Sequence, residues 1–315
     1  MATIDKEVAV DFIYIGGPRC GSTWLSAVLD EHPQIFIPPS KEVHFFNDRM
    51  PYIFEYKYPL GLGHYRSYFA GAQADQIVGD ISPFYFLDPN AAWRIHRHFP
   101  EAKLICFLRD PVAMLHSLYL LLRQRERRGA TFAEEIEKNP SLIDLCRYDR
   151  LLQPFYDFFP SAQICIYLYE ELFVDGTRTA REIYNFLGVD PTFDPPSAKQ
   201  RFNAATDAPP NPLRRRRGML VDALNRPLLR PLKHVLLRRG LKDVRRYGMT
   251  KTTRTPLRDG PEPAVRALLE SVLEPELRRL ERRLGRALAV WPSAPVNAVA
   301  EERHLAYAST QARSR

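Results

Sequence analysis

A glycine-containing turn near the start of the chain has the composition of an anion-binding loop. Residues Gly16–Thr23 follow the apolar run Phe12–Ile15 and lead into a helical pattern. Glycines allow a tight turn whose backbone N–H groups point inward, and the following helix adds amides and the positive end of its dipole. The turn nearly fits the nucleotide-binding pattern G-x-x-x-x-G-K-[ST], but Ser22 stands in place of the lysine and the nearby cation is Arg19. We therefore predict that a phosphate or sulfate group binds here.

A second cation follows the clearest apolar run of the chain. Leu104–Leu108 lead directly into Arg109–Pro111, and proline suits the first turn of a helix. The pattern predicts a helix over Val112–Arg123, which carries Ser117. Ligands of parallel α/β sheets bind beyond the carboxyl ends of the strands. We therefore expect Arg109 and the glycine turn to lie at one edge of the sheet.

Ionisable groups suited to proton transfer lie between two aromatic-rich stretches. Glu42 and His44 stand among Val43, Phe45 and Phe46, which could desolvate a carboxylate and raise its pKa. Lys41 precedes them, and a short basic segment, Lys251–Pro256, occurs much later in the chain.

Each of these features also has a simpler interpretation. The glycine turn alone is compatible with an ordinary strand-to-helix connection, and Arg109 with a local ion pair at a helix start. The other candidates would then be exposed polar or charged groups: Ser117, Glu42, His44, Lys251 and Arg254.

The order of the apolar runs indicates an α/β fold. Runs typical of buried strands occur at Phe12–Ile15, Ile35–Ile37, Ile77–Asp80, Leu104–Leu108 and Ile164–Leu168. Helical patterns alternate with them, which predicts a parallel sheet covered by helices. An amphipathic helical region over Pro263–Leu288 follows, divided or kinked at Pro275 and ended by Trp291. Its expected apolar face comprises Val265, Leu268, Leu269, Val272, Leu277, Leu280 and Leu284.

Composition is that of a globular protein with an anionic ligand or a basic surface. The chain has 315 residues, 45% hydrophobic and 26% charged, with a formal net charge of +8. Its four cysteines form no zinc or C-x-x-C pattern, so we expect free buried thiols and a reducing compartment. We expect neither a signal peptide nor a membrane span.

Four motifs, in the same order, resemble those of sulfotransferases that use 3′-phosphoadenosine 5′-phosphosulfate, of the heparan-sulfate type and its bacterial relatives. Gly17–Leu25 is similar to the 5′-phosphosulfate loop, and Arg109–Pro111 with Ser117 to the 3′-phosphate motif. Glu42–Phe46 resembles the catalytic-base segment, and Lys251–Pro256 the loop that closes over the donor.

The resemblance implies a single P-loop-like domain over residues 1–291, with a basic, proline-rich insertion at 195–250 and a loose tail at 292–315. It implies Glu42 as general base, His44 as the reserve candidate and Arg19 as the catalytic cation, with no metal because a sulfuryl group carries less charge than a triphosphate. Lys41 would help hold the sulfonate. The product would be adenosine 3′,5′-bisphosphate, and the donor contacts would be Arg19, Cys20, Gly21, Ser22, Thr23, Trp24, Arg109, Ser117, Lys251 and Arg254.

One departure from the family pattern concerns the acceptor. Relatives carry a lysine where this chain has Ile81, and the paired cysteines of secreted relatives are missing before the closing loop. We therefore expect a cytoplasmic, bacterial enzyme acting on a small-molecule, lipid or saccharide hydroxyl, or less readily an amine. Loops Pro51–Tyr68, Gly129–Arg147 and Pro195–Pro231 are expected to shape the acceptor pocket. The sequence leaves the acceptor's identity and the oligomeric state open.

Two other function classes remain open from the sequence alone. A P-loop-like kinase or NTPase would need magnesium and would not use a 3′-phosphate. A basic nucleic-acid-binding protein would use the arginine-rich run Arg214–Arg217, but the basic residues are not interleaved with stacking aromatics. No nucleic-acid partner is expected.

Overall fold

The protein's architecture comes from a computed structural model. The structure describes residues 9–40, 42–48, 56–126, 130–172, 174–200 and 260–292. The tail beyond Pro292 and the insertion beyond Gln200 lie outside these ranges, so the expected domain division stays a prediction.

Five parallel strands form a single sheet, as the apolar runs predict. The order across the sheet is β2, β3, β1, β4, β5. β1 therefore lies at the centre, with β3 on one side and β4 on the other. The strands are β1 (Phe12–Gly16), β2 (Ile35–Phe36), β3 (Ile77–Ile81), β4 (Lys103–Leu108) and β5 (Ile164–Leu168).

The register between β1 and β3 depends on a glycine. Phe12 lies beside Gly79 in the parallel ladder. A Cβ atom at Gly79 would stand 2.0 Å from the Phe12 ring, so only glycine leaves room for it. Phe12 is fully buried, and this contact fixes the register that brings the carboxyl ends of β1 and β3 together.

Helices cover the sheet, and most of them match the predicted segments. The first, α1, begins after the glycine turn and ends before His32, and α4 begins at Pro111 as expected. Within the described ranges, the helices are α1 (Ser22–Glu31), α2 (Gly61–Arg66), α3 (Ala91–His98), α4 (Pro111–Glu126), α5 (Phe132–Lys138), α6 (Tyr148–Phe158), α7 (Tyr169–Leu172), α8 (Gly176–Leu187) and α9 (Pro263–Leu284).

The segment 129–147, predicted as a loop, is largely helical where the structure describes it. α5 is preceded by a capping box in which the Thr131 side chain accepts from the Glu134 N–H and the Glu134 side chain accepts from the Thr131 N–H. A 3-10 helix, Pro140–Cys146, follows it. The loop prediction was wrong because α5 is too short for its period to be evident in the sequence.

Helix α9 is continuous through Pro275 and is capped by Gly285, so it is not divided at Pro275, and the alternative of a kink stays a prediction. Its buried face agrees with the prediction at Leu269, Leu277 and Leu280 but is narrower, since Leu268 and Val272 are 55% and 37% exposed. The buried leucines are Leu269, Leu273, Leu277 and Leu280.

Helix α9 is joined to α6 by partly buried polar contacts. The Glu276 carboxylate accepts from the Arg150 N–H at 2.9 Å, and Arg283 pairs with Asp149. Together with the leucine face, these contacts hold α9 against α6.

Substitutions of the neighbouring residues Leu268 and Leu269 test which face of α9 is buried. We expect Leu269→Ala to lower the free energy of unfolding by about 2–5 kcal/mol, because it leaves a cavity in the core. Leu268→Ala, at an exposed position, should change it by no more than about 0.5 kcal/mol. Urea unfolding of both variants measures the difference, and equal losses would contradict the observed phase.

Candidate active site

The glycine turn is held tightly against the end of β4. The Gly17 N–H donates to the Phe107 carbonyl at 2.6 Å, and the Tyr14 hydroxyl donates to the Gly17 carbonyl at 3.1 Å. Gly21 caps α1 with a φ of 102°, and a Cβ there would lie 3.3 Å from the Tyr169 ring. The turn is therefore fixed, and it directs the N-terminus of α1 toward the carboxyl edge of the sheet.

The side chains predicted in this turn point in two directions. Ser22 and Thr23 are partly exposed, whereas Cys20 and Trp24 are buried. The Cys20 thiol donates to the Pro18 carbonyl, burial raises its pKa, and the Trp24 indole N–H donates to the Ala198 carbonyl at 3.0 Å. Any contact of Cys20 or Trp24 with a bound anion would therefore come from the backbone.

The two predicted anion contacts meet. Arg19 Nε donates to Ser117 Oγ at 3.1 Å, although the two residues are 98 positions apart. Arg109 Nη1 donates to the Arg19 carbonyl at 3.4 Å, and its guanidinium lies 4.6 Å from the centre of the Tyr169 ring. Two cations and a hydroxyl thus converge beside the N-terminus of α1, and this concentration of donors suits an anion with more than one charged group.

Sequence reasoning missed the carboxylate that supports Arg109. Glu170, at the end of β5, accepts from the Asp110 N–H at 3.0 Å and from the Trp291 indole N–H at 2.7 Å. Burial raises the pKa of Glu170, against the lowering effect of these donors. An acidic residue directly after an apolar strand at this edge was the available signal, since strand ends at one edge share a site.

The predicted base segment lies at the end of β3, next to the glycine turn. The Glu42 N–H donates to the Ile81 carbonyl at 3.1 Å, and Ser82, the next residue, donates its N–H to the Tyr14 carbonyl of β1. Glu42 Oε2 lies 3.7 Å from His44 Nε2, with the Glu42 side chain 38% exposed and that of His44 fully buried. Glu42 can therefore reach a ligand at the sheet edge, while His44 stands behind it.

A buried carboxylate lies behind the base segment. Asp80 is fully buried and accepts from the hydroxyls of Ser82, Tyr85 and Tyr65 at 2.7, 2.7 and 3.0 Å. Burial raises the pKa of this carboxyl, while the three hydroxyls and His44 act in the opposite direction.

Several predicted features fall outside this arrangement. Lys41, Lys251 and Arg254 lie outside the residues that the structure describes. Ile81 is buried, so no cation enters the site from the position where the resemblance leads one to expect lysine. The described residues contain no group of three or more His, Cys, Asp or Glu side chains arranged to hold a metal. Within the same ranges, no helix has the length and apolarity needed to cross a membrane.

A model of the sulfotransferase family matches residues 64–195, which include β3, β4, β5, Arg109 and Ser117. The chain is therefore similar to sulfotransferases over this part of its length. It is 31% identical over 145 residues to the membrane-associated sulfotransferase kil1 of Dictyostelium discoideum, covering 43% of the chain and 29% of that protein. It is 24% identical over 191 residues to the heparan sulfate glucosamine 3-O-sulfotransferase 5 of Mus musculus, covering 57% and 53%.

A solved structure supports the same fold over nearly the whole chain. The sulfotransferase from Alicyclobacillus acidocaldarius superposes with a TM-score of 0.65 at 24% identity, covering 90% of this chain and 98% of that one. These two curated relatives are matched over only 29% and 53% of their own length, so the chain corresponds to part of each.

The burial of Asp80 predicts a specific pH dependence of stability. A carboxyl whose pKa is raised by folding contributes stability that is fully present below its ordinary value of 3.8 and is lost as pH rises through the raised value. Asn at position 80 does not titrate. We therefore expect the stability of the wild type relative to Asp80→Asn to fall as pH rises through that window.

Urea unfolding at a series of pH values measures this difference. A control pair, the wild type and Asp157→Asn at an exposed site, should show no such trend. A constant difference between wild type and Asp80→Asn would contradict the effect of burial.

Proposed function

We propose that this protein transfers a sulfuryl group from 3′-phosphoadenosine 5′-phosphosulfate to a hydroxyl group of an acceptor. The observation that carries the proposal is the convergence of Arg19, Ser117 and Arg109 beside the start of α1. Glu42 stands on the neighbouring strand end, within the same edge of the sheet. An anion site and a carboxylate that can accept a proton are the two parts that sulfuryl transfer requires.

The residues fit a donor with two separate anionic groups. The glycine turn and the N-terminus of α1 suit the 5′-phosphosulfate, since helix N-termini favour anions. Arg109 and Ser117 suit the 3′-phosphate, and their contacts to Arg19 link the two subsites. Outside the described ranges, Lys251 and Arg254 remain proposed donor contacts.

Charge neutralisation in this site would come from the chain itself. The bound donor supplies a sulfuryl group on a phosphate leaving group, which gains negative charge as the bond breaks. Arg19 is permanently charged and held by Ser117, so it can stabilise that charge without a change of position. The partly exposed hydroxyls of Ser22 and Thr23 add donors at the same point. We propose that this set suffices without a metal, because a sulfuryl group carries less charge than a triphosphate.

Glu42 is the proposed general base. The acceptor hydroxyl must lose its proton as it attacks, and a carboxylate within hydrogen-bond reach can take it. Glu42 is partly exposed and anchored through its own N–H, whereas the buried His44 is better suited to orienting Glu42. His44 remains the second candidate for the base.

The competing function classes are less well supported. A kinase or NTPase of the P-loop type uses a lysine that this chain replaces with Ser22. Nucleic-acid binding would depend mainly on phosphate contacts spread over a surface, whereas here the predicted anion contacts Arg19 and Arg109 meet at one sheet edge.

The acceptor and the compartment are proposed at a general level. The mouse relative is named for action on heparan sulfate glucosamine. We propose a saccharide, lipid or small-molecule hydroxyl as the acceptor of this chain. The four cysteines are free thiols, which supports a reducing compartment such as the cytoplasm.

Nucleotide binding separates the proposal from its main alternative. In the presence of a chelator, we expect adenosine 3′,5′-bisphosphate to bind and ATP to bind at least about 10-fold more weakly, because only the former supplies a 3′-phosphate for Arg109. Arg109→Ala should weaken binding by roughly 10- to 100-fold. Calorimetric titration measures both affinities. Arg178→Ala, at an exposed ion pair, is the control, and magnesium-dependent preference for ATP would contradict the proposal.

Turnover tests the role of Glu42. We expect Glu42→Gln to lower kcat by about 100- to 10,000-fold, because the amide cannot accept the acceptor's proton, while affinity for adenosine 3′,5′-bisphosphate stays unchanged. Mass spectrometry across a panel of hydroxyl acceptors detects the added sulfuryl group. Glu171→Gln, on an exposed carboxylate that pairs with Arg286, serves as the matched control. Full activity of Glu42→Gln would exclude Glu42 as the base.

A further inference from the structure

The backbone of the base segment, Glu42–Phe46, has an unusual conformation. Glu42 and His44 have φ angles of 66° and 51°, in the left-handed region that residues other than glycine seldom adopt. Such a conformation persists only where the surroundings hold it. Contacts to Val43 and Phe46 supply part of that support, through Lys57 Nζ to the Val43 carbonyl at 2.7 Å and Arg94 Nη1 to the Phe46 carbonyl at 3.0 Å.

Two hydroxyls hold the amides in the middle of this segment. The His44 N–H donates to Ser82 Oγ and the Phe45 N–H donates to the Tyr85 hydroxyl, both at 3.0 Å. The same hydroxyls donate their hydrogens to Asp80. A single hydroxyl therefore links Asp80 to each of two consecutive amides of the base segment.

The charge on Asp80 fixes the direction of both hydroxyls. A hydroxyl has one hydrogen and two lone pairs, and an ionised carboxylate only accepts hydrogen bonds. Ser82 and Tyr85 must therefore point their hydrogens at Asp80 and their lone pairs at the amides of His44 and Phe45. Without the carboxylate, either hydroxyl could rotate and present its hydrogen elsewhere.

Tyr65 provides the third hydroxyl that donates to Asp80, but it does not link Asp80 to the amides of the base segment. Its hydroxyl donates to Asp80 Oδ2, and within the described ranges it contacts no amide of the base segment. Tyr65 therefore provides an internal comparison, since its loss removes a hydrogen bond from Asp80 without releasing an amide of the base segment.

We propose that Asp80 is a positioning residue, which acts through Ser82 and Tyr85 to hold the His44 and Phe45 amides and so fixes Glu42 where it can meet the acceptor hydroxyl. This inference rests on the proposed function of Glu42 as the base. Precise placement of a reacting group contributes substantially to rate, so a loosened segment should affect kcat before it affects donor binding.

Three single-hydroxyl variants test the proposal. We expect Ser82→Ala and Tyr85→Phe each to lower kcat by at least about 10-fold, with KM for the donor and affinity for adenosine 3′,5′-bisphosphate unchanged. Tyr65→Phe should keep kcat within about twofold of the wild type while lowering the urea midpoint, because it removes a hydrogen bond from Asp80 only. Equal losses of kcat in all three variants would overturn the proposal, because Asp80 would then contribute only to stability.

Hydrogen exchange provides a readout that does not depend on activity. Amide exchange at His44 and Phe45 should be faster in Ser82→Ala and Tyr85→Phe than in the wild type, and unchanged in Tyr65→Phe. If the wild type transfers no sulfuryl group, the proposed function fails, and exchange still decides whether Asp80 holds the segment. Unchanged exchange in all variants would refute the proposal that Asp80 holds the His44 and Phe45 amides through Ser82 and Tyr85.

Discussion

A carboxylate inside a protein core must be surrounded by donors, because the interior offers no water to solvate its charge. Three hydroxyls satisfy this requirement for Asp80. They belong to Ser82, which directly follows β3, to Tyr85, which begins the 3-10 helix Tyr85–Leu87, and to Tyr65 on α2. These donors come from elements that also contact the base segment. The need to solvate one buried charge thus determines how the segment carrying Glu42 approaches the end of the sheet.

The opposite side of the site depends on a different kind of interaction. Arg19 and Arg109 carry like charges at one edge of the sheet, and their approach is supported by Ser117, by the Arg19 carbonyl and by the Tyr169 ring. Two like charges held this close repel each other, and a bound anion would relieve that repulsion. The proposed site therefore combines the predicted base segment, beside the end of β3, with the predicted anion contacts around β1 and β4.

The sequence predicts which strand ends and cations meet at this edge of the sheet, but it does not predict the buried carboxylates that hold them in place. The strand that ends at Leu108 and the convergence of Arg19 with Arg109 follow from local patterns and from the geometry of parallel sheets. The supports depend on contacts between distant segments, which no local pattern encodes. Glu170 and Asp80 were therefore not predicted as parts of the site, and the buried face of α9 was predicted too wide because Leu268 and Leu269 are indistinguishable by composition.

The contact between Glu170 and Trp291 has a consequence for how the protein reaches its folded state. The two residues are 121 positions apart, and Glu170 also holds the Asp110 N–H beside Arg109. A domain generally folds as a unit during synthesis. The support beneath Arg109 therefore becomes complete only after the segments carrying Glu170 and Trp291 have both been synthesised. The proposed anion site, although its predicted contacts lie near β1 and β4, thus depends for its completion on a much later part of the chain.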